Sequence, residues 1–173
     1  MGITRLNHAV LFVRDLERSR EFYTSALGFR EISLGGAPLP GAAFLQAAGS
    51  TNDHDLGLFE IGSAAAASGA GRTSVGLYHL AWEVDTLDEL GRIGQELAAR
   101  GALVGSSDHG TTKSLYGKDP DGLEFEVAWI IPADLLDESA LSARASIGRL
   151  DLEAEVARYG ATTRGGVGIS TPV

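Results

Sequence analysis

Two stretches of the chain share one pattern of apolar and polar positions. In each stretch a short, mainly apolar run, at 6–13 and again at 77–84, precedes a longer run with apolar residues at helical spacing, at 15–27 and 86–99. Short apolar runs are typical of strands, and apolar residues every three or four positions are typical of a helix that packs on a sheet. The chain therefore contains an internal repeat, and each copy begins with a strand and an amphipathic helix.

Both predicted helices carry start and stop signals. Asp15 can cap the first helix, and Thr86 with Glu89 three residues later forms a capping box for the second. Gly28 and Gly101 fit the left-handed residue that commonly ends a helix. These signals strengthen the prediction of two helices in matching positions.

Three further strand-like runs follow each helix. They are 29–34, 43–47 and 56–61 in the first half, and 102–105, 113–117 and 123–131 in the second. The pattern predicts two βαβββ modules, residues 4–62 and 77–131, which together form an α+β domain of residues 4–131. The residues between the modules, 63–76, are rich in Gly and Ala and are predicted to be a flexible linker.

The chain beyond the second module has a different character. Residues 134–159 favour helices, with an interruption near Gly148, and the stretch from Ala161 onward is rich in Gly and Thr. Residues 132–173 are therefore predicted to be a helical C-terminal extension that ends in a loose tail. Two placements stay open for its helices, a subunit interface or one edge of the sheet.

Composition narrows the possible functions. The 173 residues suit one compact domain, and the formal net charge of -9 disfavours nucleic acid and anionic membranes as partners, which leaves a small neutral or aromatic substrate. No cysteine is present, so thiolate chemistry is excluded and any metal must be bound by nitrogen and oxygen atoms. Without a secretion signal or a run of about 20 apolar residues, the expected location is the cytoplasm.

Two histidines occupy equivalent places in the repeat, and a glutamate offers a third ligand. His8 and His79 each lie in the first strand of a module, so pairing of the modules can bring both imidazoles to one point. After the predicted turn Asp119–Gly122, Glu126 shares one face of a mostly apolar strand with Glu124, where a carboxylate is costly unless a positive group meets it. His8, His79 and Glu126 form a two-histidine, one-carboxylate set that suits one divalent metal such as Fe(II).

The repeat, the two histidine strands and the Asp119–Gly122 turn followed by Glu126 resemble the vicinal oxygen chelate superfamily. That superfamily includes glyoxalase I, extradiol catechol dioxygenases, methylmalonyl-CoA epimerase, fosfomycin resistance enzymes and metal-free bleomycin binders. The resemblance covers residues 4–131 and implies that the paired modules form an open, cup-shaped mixed sheet around the metal. The motifs are most similar to those of single-domain, catechol 2,3-dioxygenase-like members.

Three more residues resemble catalytic groups of the extradiol dioxygenases. Tyr116, ten residues before Glu126, lies where those enzymes have a tyrosine that hydrogen-bonds the metal-bound substrate. His54 resembles their acid/base histidine. Some relatives have a histidine nine residues before the tyrosine, where this chain has Ser107, and His109 lies two residues after that position. The resemblance implies an Fe(II) enzyme that cleaves an aromatic diol with O2. As ordinary alternatives, His54 and His109 are solvated loop residues and Tyr116 packs in the core.

Two other functions stay open. Glu60 sits in the first module roughly where Glu126 sits in the second, and a ligand there would complete the four-ligand set of glyoxalases and epimerases. That set suits Zn, Ni, Co or Mn and redox-neutral chemistry, as in a lyase or isomerase. The other alternative is a metal-free drug-binding resistance protein, although the three candidate ligands argue against it. A homodimer is expected, and the modules can pair within one chain or between two.

Overall fold

The computed structural model describes residues 2–71 and 73–166. These described residues divide into two compact units. The first unit runs from the N-terminal end to Ser68 and includes the turn Asp119–Gly122, and the second unit takes the rest of the described chain. Each unit contains one βαβββ module with a four-stranded mixed sheet. The predicted α+β class and the two predicted modules are therefore confirmed.

In the first unit one helix covers one face of the sheet. Its elements are β1 (Ala9–Val13), α1 (Leu16–Ser25), β2 (Arg30–Ile32), β3 (Ala42–Gln46) and β4 (Leu56–Glu60). The strand order is β1-β4-β3-β2, in which β1 and β4 are parallel and the other pairs are antiparallel. Phe22 and Tyr23 of α1 are buried together with the alternate strand residues Leu45, Leu56 and Leu58. We call the side of this sheet that faces away from α1 its open face.

The second unit repeats this arrangement. Its module consists of β5 (Leu80–Glu83), α2 (Leu87–Ala99), β6 (Leu103–Asp108), β7 (Thr112–Lys118) and β8 (Glu124–Ile130), with the strand order β5-β8-β7-β6. Leu90, Ile93 and Leu97 of α2 are buried with Leu115 and Val127 of the sheet. A Cβ placed on Gly94 of α2 would lie only 3.1 Å from the Leu115 side chain, so the odd-numbered residues of β7 face the helix. The even-numbered residues of β7 therefore lie on the open face of this sheet.

The helix ends follow the predicted signals, with one difference. The side chains of Asp15 and Thr86 each accept a hydrogen bond from the backbone N–H three residues on, as N-caps do. Glu89 does not complete the predicted capping box, because its carboxylate accepts from an arginine one turn further along. Gly28 and Gly101 adopt φ values of 75° and 65°, as left-handed helix ends require. Among the described residues, every helix is too short or too polar to span a lipid bilayer.

The C-terminal extension packs on its own unit. It contains a 3-10 turn (Ala133–Leu135) and the helices α3 (Glu138–Ala143) and α4 (Leu152–Tyr159). α4 packs so closely on α2 that a Cβ at Gly91 would lie 3.3 Å from the Leu152 side chain. An antiparallel backbone bridge joins Gly148 to Asp108 at the end of β6. The extension thus covers the helical side and one edge of the second unit, which is one of the two placements left open by the sequence.

The chain after α4 stays attached to the second unit as far as it is described. The Thr163 carbonyl accepts a hydrogen bond of 3.2 Å from the Trp129 indole. The Gly165 N–H donates to the Asp85 carbonyl at 2.7 Å. The remainder of the predicted loose tail, residues 167–173, lies outside the described residues.

Candidate active site

His79 and Glu126 meet on the open face of the second unit. His79 directly precedes β5, and the parallel pairing of β5 with β8 sets Ala81 opposite Glu126. Because alternate residues of a strand share a face, His79 points to the same side of the sheet as Glu126. The His79 Nε2 atom lies 3.1 Å from Glu126 Oε2, and the two side chains are 25% and 13% exposed. Two of the three predicted metal ligands are therefore in contact.

Glu124, the other glutamate on this face of β8, has a different partner. Its Oε1 lies 3.5 Å from the Lys118 ammonium, and 35% of its side chain is exposed. An exposed ion pair of this kind contributes little and requires no further compensation. Glu126, the more buried of the two glutamates, is the one in contact with a histidine.

A buried serine binds the second oxygen of Glu126. Ser114 lies on β7 with its side chain on the open face, and its hydroxyl donates a 2.5 Å hydrogen bond to Glu126 Oε1. The serine is completely buried. The two carboxylate oxygens thus have different neighbours, a hydroxyl at Oε1 and an imidazole at Oε2. The sequence pattern does not single out Ser114, although its strand parity is the same as that of Tyr116.

Tyr116 lies opposite Glu126 in the β7–β8 ladder and is held by a serine and a histidine. Its hydroxyl lies 2.9 Å from His109 Nε2 and accepts a 3.1 Å hydrogen bond from the Ser107 hydroxyl. Ser107 and His109 are themselves 2.8 Å apart. The Tyr116 and His79 rings are separated by 6.0 Å between centroids. His109 therefore contacts the Tyr116 hydroxyl, although the position nine residues before Tyr116, where some relatives have a histidine, is occupied by Ser107.

The turn that carries His109 is fixed by local contacts. The His109 N–H donates to the Thr112 carbonyl at 2.9 Å, and Asp108 Oδ1 accepts from the Gly110 N–H at 2.8 Å. Gly110 has a φ of 72°, which favours glycine, and a Cβ there would lie 2.4 Å from the Ala140 carbonyl of the extension. The sequence Asp-His-Gly therefore folds into a tight turn that presents the imidazole to Tyr116.

In the first unit, His8 and His54 lie side by side. His8 precedes β1 and His54 lies two residues before β4, and these parallel strands begin in register at Ala9 and Leu56. The centroids of the two imidazole rings are 4.4 Å apart. His8 Nδ1 lies 2.7 Å from Asn7 Oδ1, an acceptor that favours the proton on Nδ1 and leaves a lone pair on Nε2. A metal-ligating histidine usually has such a partner on its other ring nitrogen.

A buried aspartate shapes the loop that carries His54. Asp55 accepts hydrogen bonds from the Ala47 N–H at 2.8 Å, the Ser50 hydroxyl at 2.7 Å and the Asn52 amide at 2.7 Å. This network holds the end of the loop while the His54 ring stacks edge-on against Phe44 at 5.2 Å. His54 is therefore a fixed side chain of the first unit, not a freely solvated one.

Glu60 points to the opposite face of the sheet from His8. It shares the helix-facing side of β4 with Leu56 and Leu58, and its Oε2 accepts a 2.9 Å hydrogen bond from the Leu16 N–H at the start of α1. The residue of β4 that corresponds to Glu126 is Gly57. Gly57 pairs with the residue two positions after His8, just as Glu126 pairs with the residue two positions after His79.

The donor atoms fit a divalent metal. Bond lengths of about 2.1 Å at right angles separate neighbouring ligands by about 3 Å, which matches the distance between His79 and Glu126. An imidazole nitrogen and a carboxylate oxygen also suit Fe(II), Mn, Zn, Ni or Co. Among the described residues, no group of three or more His, Asp or Glu side chains is arranged to hold a metal ion. The predicted set takes His8 from the first unit and the other two ligands from the second, and it stays a prediction.

Sequence comparison identifies relatives of the chain. The sequence model of the Glyoxalase/Bleomycin resistance protein/Dioxygenase superfamily matches residues 5–127. A catechol-2,3-dioxygenase of Bacillus subtilis (strain 168) is 30% identical over 124 residues, which are 72% of this chain and 41% of that protein. The chain thus spans less than half the length of this relative.

Solved structures share the fold. A glyoxylase/bleomycin resistance protein/dioxygenase domain from Frankia sp. EAN1pec superposes with a TM-score of 0.59 at 24% identity, covering 73% of this chain and 92% of that one. A variant of the fosfomycin resistance protein FosX from Listeria monocytogenes, complexed with Mn(II), superposes with a TM-score of 0.52 at 21% identity, covering 73% and 92%. At these identities the likeness shows the fold alone.

Proposed function

The chain belongs to the glyoxalase/bleomycin resistance protein/dioxygenase superfamily, and on that premise we propose that it is a divalent-metal enzyme, specifically an Fe(II) extradiol dioxygenase that cleaves catechol-type aromatic rings. The observation that carries the proposal is the 3.1 Å contact between His79 Nε2 and Glu126 Oε2. This contact lies on the open face of the second unit, which also carries the hydroxyl of Tyr116. The relative named a catechol-2,3-dioxygenase supports the reaction, and the Mn(II) complex of the fosfomycin resistance protein supports a metal.

In this proposal His8, His79 and Glu126 hold the metal. Asn7 orients His8 so that Nε2 is the ligating atom, and Ser114 orients Glu126. When bound, the metal supplies a Lewis acid and one centre at which an aromatic diol and O2 are brought together. Such a three-residue set leaves open positions for both reactants.

Tyr116, His109 and His54 act on the substrate. The Tyr116 hydroxyl donates a hydrogen bond to a substrate oxygen, and His109, 2.9 Å away, takes up or returns the proton that the tyrosine shares. In this proposal His54, whose ring lies against that of His8, moves a second proton near the reacting oxygen. Ser107 holds both members of the tyrosine–histidine pair in place.

The position of Glu60 favours three protein ligands over four. Its carboxylate serves the N-terminus of α1, and Gly57, which has no side chain, takes the place that corresponds to Glu126. A glyoxalase-type or epimerase-type enzyme with a second glutamate ligand is the alternative, and so is a metal-free drug-binding protein. We further propose that the enzyme acts in the cytoplasm as a homodimer.

Metal loading separates these functions. The protein is purified without oxygen and loaded in parallel with Fe(II), Mn(II), Zn(II), Ni(II) or Co(II), and each form is given a panel of catechols while O2 uptake and ring-opened product are measured. The proposal predicts O2 uptake with one Fe(II) bound. Proton-transfer activity with Zn or Ni but no O2 uptake would favour the lyase or isomerase, and drug binding unchanged by chelators would favour the binding protein.

Two glutamates of β8 provide the matched control. Glu126→Gln is expected to abolish O2 uptake and to weaken metal binding by more than about 100-fold, the upper end of the loss seen when an outer-shell residue is removed. Glu124→Gln changes the same side chain two residues away on the same face, but it breaks only the exposed pair with Lys118. Equal metal affinity in the two variants would remove Glu126 from the site.

A further inference from the structure

The two oxygens of Glu126 are held apart by different neighbours. Oε1 accepts the Ser114 hydroxyl at 2.5 Å, and Oε2 lies 3.1 Å from His79 Nε2. A carboxylate that binds a metal through both oxygens must turn its two oxygens toward the same ion. A hydroxyl bound at one of them opposes that rotation, because the bond to a charged acceptor is strong in a buried place.

Breaking the hydrogen bond between Ser114 and Glu126 would be energetically costly. The serine is completely buried on β7, where a hydroxyl without an acceptor is costly. Glu126 itself is 13% exposed and gains a donor for one of its oxygens. Ser107, the buried serine directly across the β6–β7 ladder, binds Tyr116 and His109 instead. The two serines therefore serve different groups of the same face.

We propose that Ser114 is a positioning residue that makes Glu126 a ligand through Oε2 alone, and so sets the number of positions left open on the metal. The inference rests on the proposed function, in which Glu126 binds the ion. With two imidazoles and one oxygen from the protein, about three of six positions stay open, whereas a glutamate bound through both oxygens would leave about two. Three positions are what a substrate bound through two oxygens and one O2 molecule need together.

Counting water ligands on a bound ion tests this without any substrate. Mn(II) alone is bound to the wild-type protein, and its effect on water-proton relaxation is measured at saturation, with the affinity obtained by calorimetry. Ser114→Ala is expected to lower the relaxation per bound ion by about one third, the loss of one of three water positions. It should also weaken Mn(II) binding by about 10- to 100-fold, as loss of an outer-shell partner does.

Two further variants complete the design. Ser114→Thr keeps the hydroxyl and is expected to restore both values, which also guards against a folding defect in the alanine variant. Ser19→Ala removes a comparably buried serine, on α1, that does not touch Glu126, and its Mn(II) relaxation and affinity should equal those of the wild type. Circular dichroism of each variant checks the fold.

The outcomes distinguish a failure of the proposed role of Ser114 from a failure of the proposed metal site. Unchanged relaxation in Ser114→Ala, with or without a loss of affinity, overturns the role of Ser114 while Glu126→Gln still loses the metal. If Glu126→Gln and His79→Ala bind Mn(II) as the wild type does, the proposed metal site falls and the inference falls with it.

Discussion

The two modules repeat one topology but carry opposite chemistry on their open faces. In the first unit the face beside His8 is apolar, with Val10 and Phe12 52% and 68% exposed, and with Gly57 where the second unit has Glu126. In the second unit the corresponding face carries serines, a tyrosine and the glutamate, joined by hydrogen bonds. The repeat thus keeps its strands and helices, while one copy carries hydrogen-bonded polar groups on its open face and the other carries histidines beside an aromatic surface.

Among changes that keep all three proposed metal ligands, the largest effect is expected from Tyr116, on the open face of the second unit. Tyr116→Phe removes the hydroxyl that lies 2.9 Å from His109 and keeps the ring. Loss of a positioned acid/base group lowers turnover by about 100- to 10,000-fold. Steady-state O2 uptake should show this loss in kcat, while calorimetry shows an unchanged metal affinity. Full activity in this variant would return Tyr116 to a packing role.

Gly57→Glu removes the main difference between the two faces. A Cβ at Gly57 would meet Val10, Phe59 and Phe44 at 3.5, 3.6 and 3.7 Å, which is ordinary contact, so a side chain fits. If the three ligands hold one ion, the new carboxylate occupies a position that O2 needs, and O2 uptake should fall by about tenfold or more with the metal retained. A neutral matched variant, Gly57→Gln, should lose less. Unchanged O2 uptake in both would separate the first module from the metal.

The smallest effect concerns the extension, which only the second unit carries. Lys113 is almost completely buried and lies 2.7 Å from Asp108 and 3.1 Å from Glu155 of α4. Glu155→Ala removes one of the two carboxylates that neutralise this buried ammonium, and leaving a buried polar group without a partner costs about 1–3 kcal/mol. Thermal unfolding should show that loss, whereas Glu153→Ala, an exposed neighbour on α4, should not. If Glu155→Ala also lowered the metal affinity by a comparable free energy, α4 would support the metal site directly.

Strand parity and the repeat are enough to predict the elements and the faces on which His79 and Glu126 lie, because a period of two fixes which side chains share a face. The contact between these two residues also requires the parallel register of β5 with β8. Glu60 shows where position counting fails. Its place in the first module suggests a match with Glu126, but the pairing register of β1 with β4 shows that Gly57 is the equivalent residue.

The serines could not be singled out from the sequence for a related reason. Ser107 and Ser114 belong to a common residue type, and their roles arise from cross-strand register and burial. The same holds for His109, whose reach to Tyr116 depends on the tight turn at Gly110. Sequence pattern predicts which residues lie on a face, while register and turn geometry decide which of them touch.

The most direct test is a crystal structure of the protein loaded with Mn(II) or Fe(II), with the ion located by anomalous scattering. The account predicts one peak about 2.0–2.2 Å from Nε2 of His8, Nε2 of His79 and Oε2 of Glu126. A peak bound elsewhere, or one held by His79 and Glu126 while the His8 imidazole lies several ångströms away, would contradict it.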